Sequence, residues 1–110
     1  MRSRRVLALA AAALGASLAT AAQAEGDVEA GRYKSQTCLG CHGIADYGNV
    51  YPSYHVPKLG GQHAEYIVSA LQAYKQGQRQ HPTMKAQAAS LSMQDMQDIA
   101  AYFATVDEPR

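Results

Sequence analysis

Cys38-Leu39-Gly40-Cys41-His42 is the stretch of this sequence that decides the fold. It reads C-x-x-C-H, the attachment signal of a c-type haem. Two thiols three positions apart can form thioether bonds with the two vinyl groups on one edge of a haem. The histidine that follows is then held beneath the ring, where its imidazole can bind the iron. The stretch therefore predicts one covalent haem, attached through Cys38 and Cys41, with His42 as an axial iron ligand.

Other sites built on paired cysteines fit the sequence less well. A thioredoxin-like redox motif requires a βαβ context, and no strand pattern surrounds the pair. A structural zinc site needs about four nitrogen or sulfur ligands. Cys38 and Cys41 are the only cysteines, so zinc would have to recruit distant histidines. A disulfide between the two cysteines would leave His42 without a role.

The first 24 residues have the features of a secretory signal peptide. Three arginines precede an alanine-rich apolar run, which ends in the cleavage pattern Ala-Gln-Ala at residues 22–24. An uncleaved anchor is the alternative, because the run approaches the roughly 20 residues of a membrane span. The cleavage pattern favours removal after Ala24, export to the periplasm and a mature domain of residues 25–110, with no stable membrane insertion afterwards.

The composition of the mature chain indicates one small domain that is short of apolar volume. Residues 25–110 carry seven Lys and Arg against nine Asp and Glu, a formal charge of −2, which is not the balance of a nucleic-acid-binding protein. These 86 residues contain no Trp and one Phe, so their core alone would be marginal. A buried haem would supply much of the missing apolar volume.

Helical spacing of apolar residues recurs along the mature chain, and no strand pattern of useful length occurs. We expect a helix over residues 25–37 with Asp27 as N-cap, a second over 62–76, and a last one opened by Ser92. The apolar stripes of the second and last helices are Ile67, Ala70, Leu71 and Tyr74, and Met96, Ile99, Ala100 and Phe103. The sequence thus predicts an all-α fold, a few helices wrapped around one haem.

Two features of this pattern have more than one interpretation. Gly31 falls inside the first predicted helix, so either a close helix crossing requires it or the helix begins after it. Glycine and proline predict a loop over residues 43–61 and make the start of residues 78–90, around Pro82, irregular. Three tyrosines lie in the first of these segments, and each either lines the haem pocket or, as is favoured for each taken singly, packs in an ordinary loop: Tyr47, Tyr51 and Tyr54.

A methionine thioether is the second iron ligand that we expect. Met96 lies on the apolar stripe of the last helix and suits core packing, and Met93 lies in the first turn of that helix. Met84 is predicted to lie in the irregular segment, free of helical hydrogen bonds, where a loop can bring it to the haem face opposite His42. We predict Met84 as the ligand, with Met93, His81 or an open position as the alternatives.

The mature chain resembles the class I c-type cytochromes, above all the small bacterial members and single domains of their dihaem relatives. The matching stretches occur in the family's order: Cys38-Leu39-Gly40-Cys41-His42-Gly43, Pro57-Lys58-Leu59-Gly60-Gly61-Gln62, Pro82-Thr83-Met84, and Leu91-Ser92 ahead of Asp98-Ile99-Ala100-Ala101-Tyr102-Phe103. The resemblance implies the class I cytochrome c fold, whose first and last helices cross. Gly31 and Tyr102 or Phe103 would pack at that crossing. It also implies that the Pro57 carbonyl accepts a hydrogen bond from Nδ1–H of His42.

The predicted iron ligands favour an electron carrier over an enzyme. A neutral thioether stabilises Fe(II) and raises the reduction potential, and two strong axial ligands leave no open position for a substrate. We expect a periplasmic protein that carries one electron between redox partner proteins through an exposed haem edge. The alternatives are a haem subunit held by a dehydrogenase, such as a flavoprotein, and a haem that is open on the Met84 side.

Overall fold

The computed structural model of the chain describes residues 25–48 and 54–107. The predicted signal peptide lies outside the described residues, so its fate stays a prediction. The described residues form five α-helices, namely α1 Val28–Lys34, α2 Gln36–His42, α3 Ala64–Lys75, α4 Pro82–Ala89 and α5 Met93–Thr105. Within the described ranges, the one β pairing is an isolated antiparallel bridge between Gly48 and His55. The predicted all-α architecture is confirmed.

None of these five helices has the length and apolar character needed to cross a membrane, a finding that covers residues 25–48 and 54–107.

The predicted helix over 25–37 is two helices, divided at Ser35. Asp27 caps α1 as predicted, its carboxylate accepting a hydrogen bond from the Ala30 N–H at 2.9 Å. Ser35 ends α1 and begins α2 with φ −83° and ψ 0°. The C-x-x-C-H stretch therefore lies on a helix of its own. No glycine or proline marks this division, which is why the sequence pattern did not indicate it.

Gly31 allows α1 and α5 to cross at backbone contact. A Cβ atom at this position would lie 1.9 Å from the Asp98 carbonyl oxygen and 2.9 Å from Cβ of Tyr102. No side chain other than hydrogen fits such an approach. The close-crossing interpretation of Gly31 is confirmed, and the helix does not begin after it.

A charged cluster joins the same two helices. The Asp98 carboxylate is buried and accepts hydrogen bonds from the Asp27 backbone N–H at 2.8 Å and from the Gln94 side chain at 2.8 Å. Nζ of Lys34 lies 2.5 Å from Asp98 Oδ2 and 2.8 Å from Asp95 Oδ1. Because Lys34 belongs to α1 and both carboxylates belong to α5, the cluster adds polar contacts to the glycine crossing.

The apolar core lies between α3 and α5, with α4 on α3. Its buried side chains are Ile67, Leu71, Tyr74, Ala88, Met96, Ile99, Ala100 and Phe103. The predicted stripe of α5 is buried throughout, and that of α3 is buried except at Ala70, which is half-buried. Ser92 starts α5 in a reciprocal capping box with Asp95, with N···O distances of 3.0 and 2.9 Å.

The prediction of a loop around Pro82 and Met84 is wrong, because α4 begins at Pro82. Proline at the first helical position has a preset φ and lacks only an N–H that would have no partner there. Strong helix formers follow it, but only Ala88 of α4 is buried. The helix therefore has no apolar stripe and leaves no periodic signal in the sequence.

Candidate functional site

A cavity of about 540 Å³ opens between α2, the loop before α3, and helices α3 to α5. Its volume is in the range of pockets that enclose a small organic ligand. Cys38, Cys41 and His42 line it from α2, and Met84 lines it from α4. The core residues Ile67, Leu71 and Ile99 also face it. The structure thus brings the predicted attachment stretch and the predicted distal ligand to one apolar cavity.

The two cysteines lie one helical turn apart on α2, which places both on the cavity side. Cys38 is half-buried, Cys41 is exposed, and both are free thiols. Burial raises the pKa of the Cys38 thiol above its ordinary value, so this thiol is protonated at neutral pH. Two free thiols on one turn of a helix, both facing the cavity, suit thioether bonds to the two vinyl groups on one edge of a haem.

The described residues do not support a metal-binding site in place of a haem. Within residues 25–48 and 54–107, no three His, Cys, Asp or Glu side chains are grouped so that they could hold a metal ion. A zinc site would need about four such ligands.

His42 is the last residue of α2, and its ring is oriented by the loop that leads to α3. Its Nδ1 lies 2.8 Å from the carbonyl oxygen of Pro57. When Nδ1 carries the proton and donates to this carbonyl, Nε2 keeps a lone pair for a metal. The contact that the family resemblance implied is therefore present, and ligation of iron by His42 stays a prediction.

The structure separates the candidates for the second ligand. Met96 is 2% exposed in the core, and Met93 is 46% exposed, with its Sδ atom 3.7 Å from Nε2 of Gln72. Met84 and His81 both line the cavity. The premise that Met84 lies in a loop is wrong, because it is the third residue of α4. Its position at the cavity wall supports the choice of Met84 nonetheless.

Two contributions to the site were missed or left open at the sequence level. Tyr54 lines the cavity, so the favoured prediction of ordinary loop packing is wrong for that tyrosine. Tyr47 does not line the cavity, and Tyr51 lies outside the described residues. The side chain of His81 caps α4, with Nδ1 accepting a hydrogen bond from the Met84 N–H at 3.1 Å. Histidine is not among the preferred N-cap residues, so no sequence signal indicated this role.

Residues 15–107 match the family described as cytochrome c. The chain belongs to that family. Cytochrome c-554(548) of Halomonas halodenitrificans is 42% identical over 83 residues, which are 73% of this chain and 96% of that protein. Cytochrome c4 of Pseudomonas aeruginosa is 42% identical over 84 residues, which are 76% of this chain and 40% of that protein.

The chain is also similar to a protein of known structure and to a protein that is named as an electron acceptor. The crystal structure of reduced recombinant cytochrome c4 from Pseudomonas stutzeri superposes with a TM-score of 0.56 at 25% identity, covering 76% of this chain and 51% of that one. A thiosulfate dehydrogenase electron acceptor of Stutzerimonas stutzeri is 38% identical over 74 residues, 64% of this chain and 33% of that protein. This chain therefore spans less than half the length of several relatives that it matches.

These similarities establish the class I cytochrome c fold and the cofactor of the family, covalently bound haem c with its iron. The residues present fit that group. A partly apolar cavity, two free thiols one turn apart and a histidine with an oriented ring meet at one place. Cys38 and Cys41 occupy the two cysteine positions of the attachment stretch.

Proposed function

We propose that this protein carries single electrons between redox partners in the periplasm, on a haem c held by Cys38, Cys41, His42 and Met84. The observation that carries the proposal is the meeting of the C-x-x-C-H helix and Met84 at one cavity. When bound, the haem supplies an iron centre that alternates between Fe(II) and Fe(III). The remaining task of the chain is to fix the ligands and to limit access to the iron.

Each of these residues has a distinct part in that task. The two cysteines tether the group, and the Pro57 carbonyl holds the His42 ring and makes its imidazole more electron-rich. Met84 would offer a neutral thioether as the second iron ligand, which would favour the reduced state of the iron. Iron held by both His42 and Met84 would have no free position for a substrate, which would suit electron transfer rather than catalysis.

Electrons would enter and leave beside the attachment helix. Cys41 is exposed, and the nearby Ile44 is 51% exposed. The tethered edge of the group would therefore lie close to solvent, where another protein can approach it. A partner needs only this approach, since an electron transferred through the edge requires no open iron position.

Export through residues 1–24 is part of the same proposal. Cleavage after Ala24 would leave Glu25 as the first residue of the mature protein. Sequencing the N-terminus of protein purified from the periplasm checks this. An N-terminus at Met1 would indicate a retained anchor instead.

A second candidate is an acceptor bound tightly to one dehydrogenase. The similarity to a protein named thiosulfate dehydrogenase electron acceptor favours it. Purification from the native periplasm at low ionic strength separates the two candidates. A free shuttle elutes at the mass of a single small domain, whereas a subunit elutes together with a larger dehydrogenase.

Replacing Met84 tests the proposed ligation most directly. Met84→Ala should remove the weak absorption band at about 695 nm that is expected of Fe(III)–thioether ligation. It should also lower the reduction potential. Met93→Ala is the matched control, because Met93 is half-exposed on α5 and does not line the cavity. If Met93→Ala removes the band and Met84→Ala keeps it, the ligand assignment is wrong.

A further inference from the structure

His81 lies where three segments around the cavity meet. Its ring packs edge-on against Tyr54, with centroids 4.8 Å apart, and against Tyr74 of α3 at 6.3 Å. Tyr54 precedes the loop whose Pro57 carbonyl contacts His42. The His81 side chain therefore touches the segment that orients one predicted ligand and begins the helix that carries the other.

The same ring supplies the acceptor for the backbone N–H of Met84. His81 is the N-cap of α4, and its Nδ1 lies 3.1 Å from Met84 N. The first N–H groups of a helix have no partner within the helix, so without this acceptor the Met84 N–H would lose its partner. Acceptance at Nδ1 requires that the neutral ring carry its proton on Nε2.

The first turn of α4 is held by the cap, by the ring contacts of His81 and by the partial packing of Met84 against the core. Pro82 and Thr83 are exposed, and the only buried residue of the helix is Ala88, near its other end. The first turn also lacks an acidic residue that would complement the helix dipole. With so little burial in this turn, the cap contributes to fixing the position of the Met84 backbone.

We propose that His81 is a positioning residue, whose Nδ1 acceptor holds the first turn of α4 so that the Met84 thioether stays on the iron. The proposal rests on the ligand assignment made above for Met84. It predicts that losing the acceptor increases the fraction of molecules in which Met84 has left the iron. The His81 side chain itself does not bind the iron.

A pair of amide substitutions isolates the acceptor. Asn is among the strongest N-cap residues and Gln is not, although both are polar and differ by one methylene. Neither retains the aromatic contacts with Tyr54 and Tyr74, so any difference between His81→Asn and His81→Gln reports on capping alone. The protein used is the ferric haem-loaded form of the full mature chain.

Imidazole titration of the ferric protein, followed through the band near about 695 nm, measures the displacement of Met84. The apparent affinity of an added ligand scales with the fraction of molecules that are open to it. His81→Gln should bind imidazole about five-fold more tightly than the unchanged protein, equivalent to about 1 kcal/mol, the usual cost of losing a cap. His81→Asn should stay within about two-fold of the unchanged protein.

Ser92→Ala is the matched control, because it removes the same kind of cap from a helix without a proposed ligand. Ser92 Oγ accepts from the N–H of Asp95, the third residue of α5, as His81 does from Met84 on α4. The control should lower the urea midpoint of unfolding and leave the imidazole affinity unchanged. A rise in affinity equal to that of His81→Gln would show a general loss of stability and overturn the proposal.

Two other outcomes also decide the question. If His81→Asn and His81→Gln bind imidazole equally, capping does not position Met84 and the inference is wrong, while loss of the band in Met84→Ala would still support the ligand assignment. If the unchanged protein has no band that Met84→Ala removes, the ligand assignment is wrong. The inference about His81 rests on that assignment and is then wrong as well.

Discussion

At the scale of single residues, Asp98 shows how a buried charge is kept ionised. Burial by itself would raise the pKa of its carboxyl, but hydrogen bonds from Lys34, the Asp27 backbone and Gln94 outweigh burial, so the pKa lies below its ordinary value. The neighbouring Asp95, hydrogen-bonded to Lys34 and to Ser92, has its pKa lowered to about 2. Both carboxylates are therefore anionic wherever the protein is expected to work.

This cluster predicts a loss of stability in acid. A carboxyl whose pKa is lower in the folded than in the unfolded chain stabilises the fold fully above the unfolded pKa, which is 3.8 for Asp95. The contribution declines as the pH falls from there towards the folded pKa of about 2. The urea midpoint of unfolding of the unchanged protein should therefore fall as the pH is lowered from about 5 to about 2.

Asp98→Asn should remove part of that pH dependence. At pH 7 it should also cost about 1.5–3 kcal/mol, the usual contribution of hydrogen bonds to a charged group. Asp107→Asn removes an exposed carboxylate beyond α5 and is the control for the change in net charge. An Asp98→Asn protein as stable as the control at pH 7, with an unchanged acid profile, would show that the cluster does not tie α1 to α5.

At the scale of elements, the crossing of α1 and α5 is the most tightly constrained contact. Gly31→Ala should destabilise the haem-loaded protein by about 2 kcal/mol or more, because the added methyl meets the α5 backbone and the helices must move apart. Gly40→Ala is the matched control, since its Cβ would meet nothing within 4 Å and alanine favours a helix. Denaturant unfolding followed by the haem absorption compares the two variants.

Whether a helix could be predicted from the sequence depended on how much of its surface is buried. Helices α3 and α5 bury one face each, so their apolar spacing revealed them. Helix α4 buries almost nothing, and the division at Ser35 has no glycine or proline to mark it. Helix α4 follows from local helix propensity, and neither feature leaves a periodic apolar pattern in the chain.

The candidate site also combines residues that the sequence indicated with one that it did not. The chemistry of haem attachment fixes the spacing of Cys38, Cys41 and His42, so the pattern alone indicated that end of the site. The Pro57 contact followed from family resemblance. The cap by His81 depends on a fold-specific approach of a side chain to a helix end, and no residue preference indicates it.

At the scale of the whole molecule, the core and the cavity share their walls. Ile67, Leu71 and Ile99 belong to the core and also line the cavity. Four of the eight buried core side chains of the described residues, these three and Tyr74, line the cavity, so half of the core borders the place of the cofactor. Stable folding should therefore require the haem, which would bind the folded chain and not the unfolded one.

Removing both attachment cysteines tests that dependence. Exported Cys38→Ala/Cys41→Ala protein should have the mass of the bare polypeptide and a far-ultraviolet circular dichroism signal much weaker than that of the unchanged protein. The unchanged protein should have the mass of residues 25–110 plus one haem. An unchanged protein with the mass of the bare chain would contradict covalent attachment, and a fully helical double variant would contradict the dependence of folding on haem.

The central claim is that His42 and Met84 both bind the iron, so that the protein carries electrons and does not bind substrates. Met84 is tethered by α4 and is present at high effective concentration, so an added ligand must first displace it. The measurement that tests this most directly is a carbon monoxide titration of the dithionite-reduced protein at neutral pH, followed by its Soret band. We predict no binding at micromolar carbon monoxide for the unchanged protein and stoichiometric binding for Met84→Ala. Stoichiometric binding by the undamaged, unchanged protein would contradict the account and indicate an open haem site.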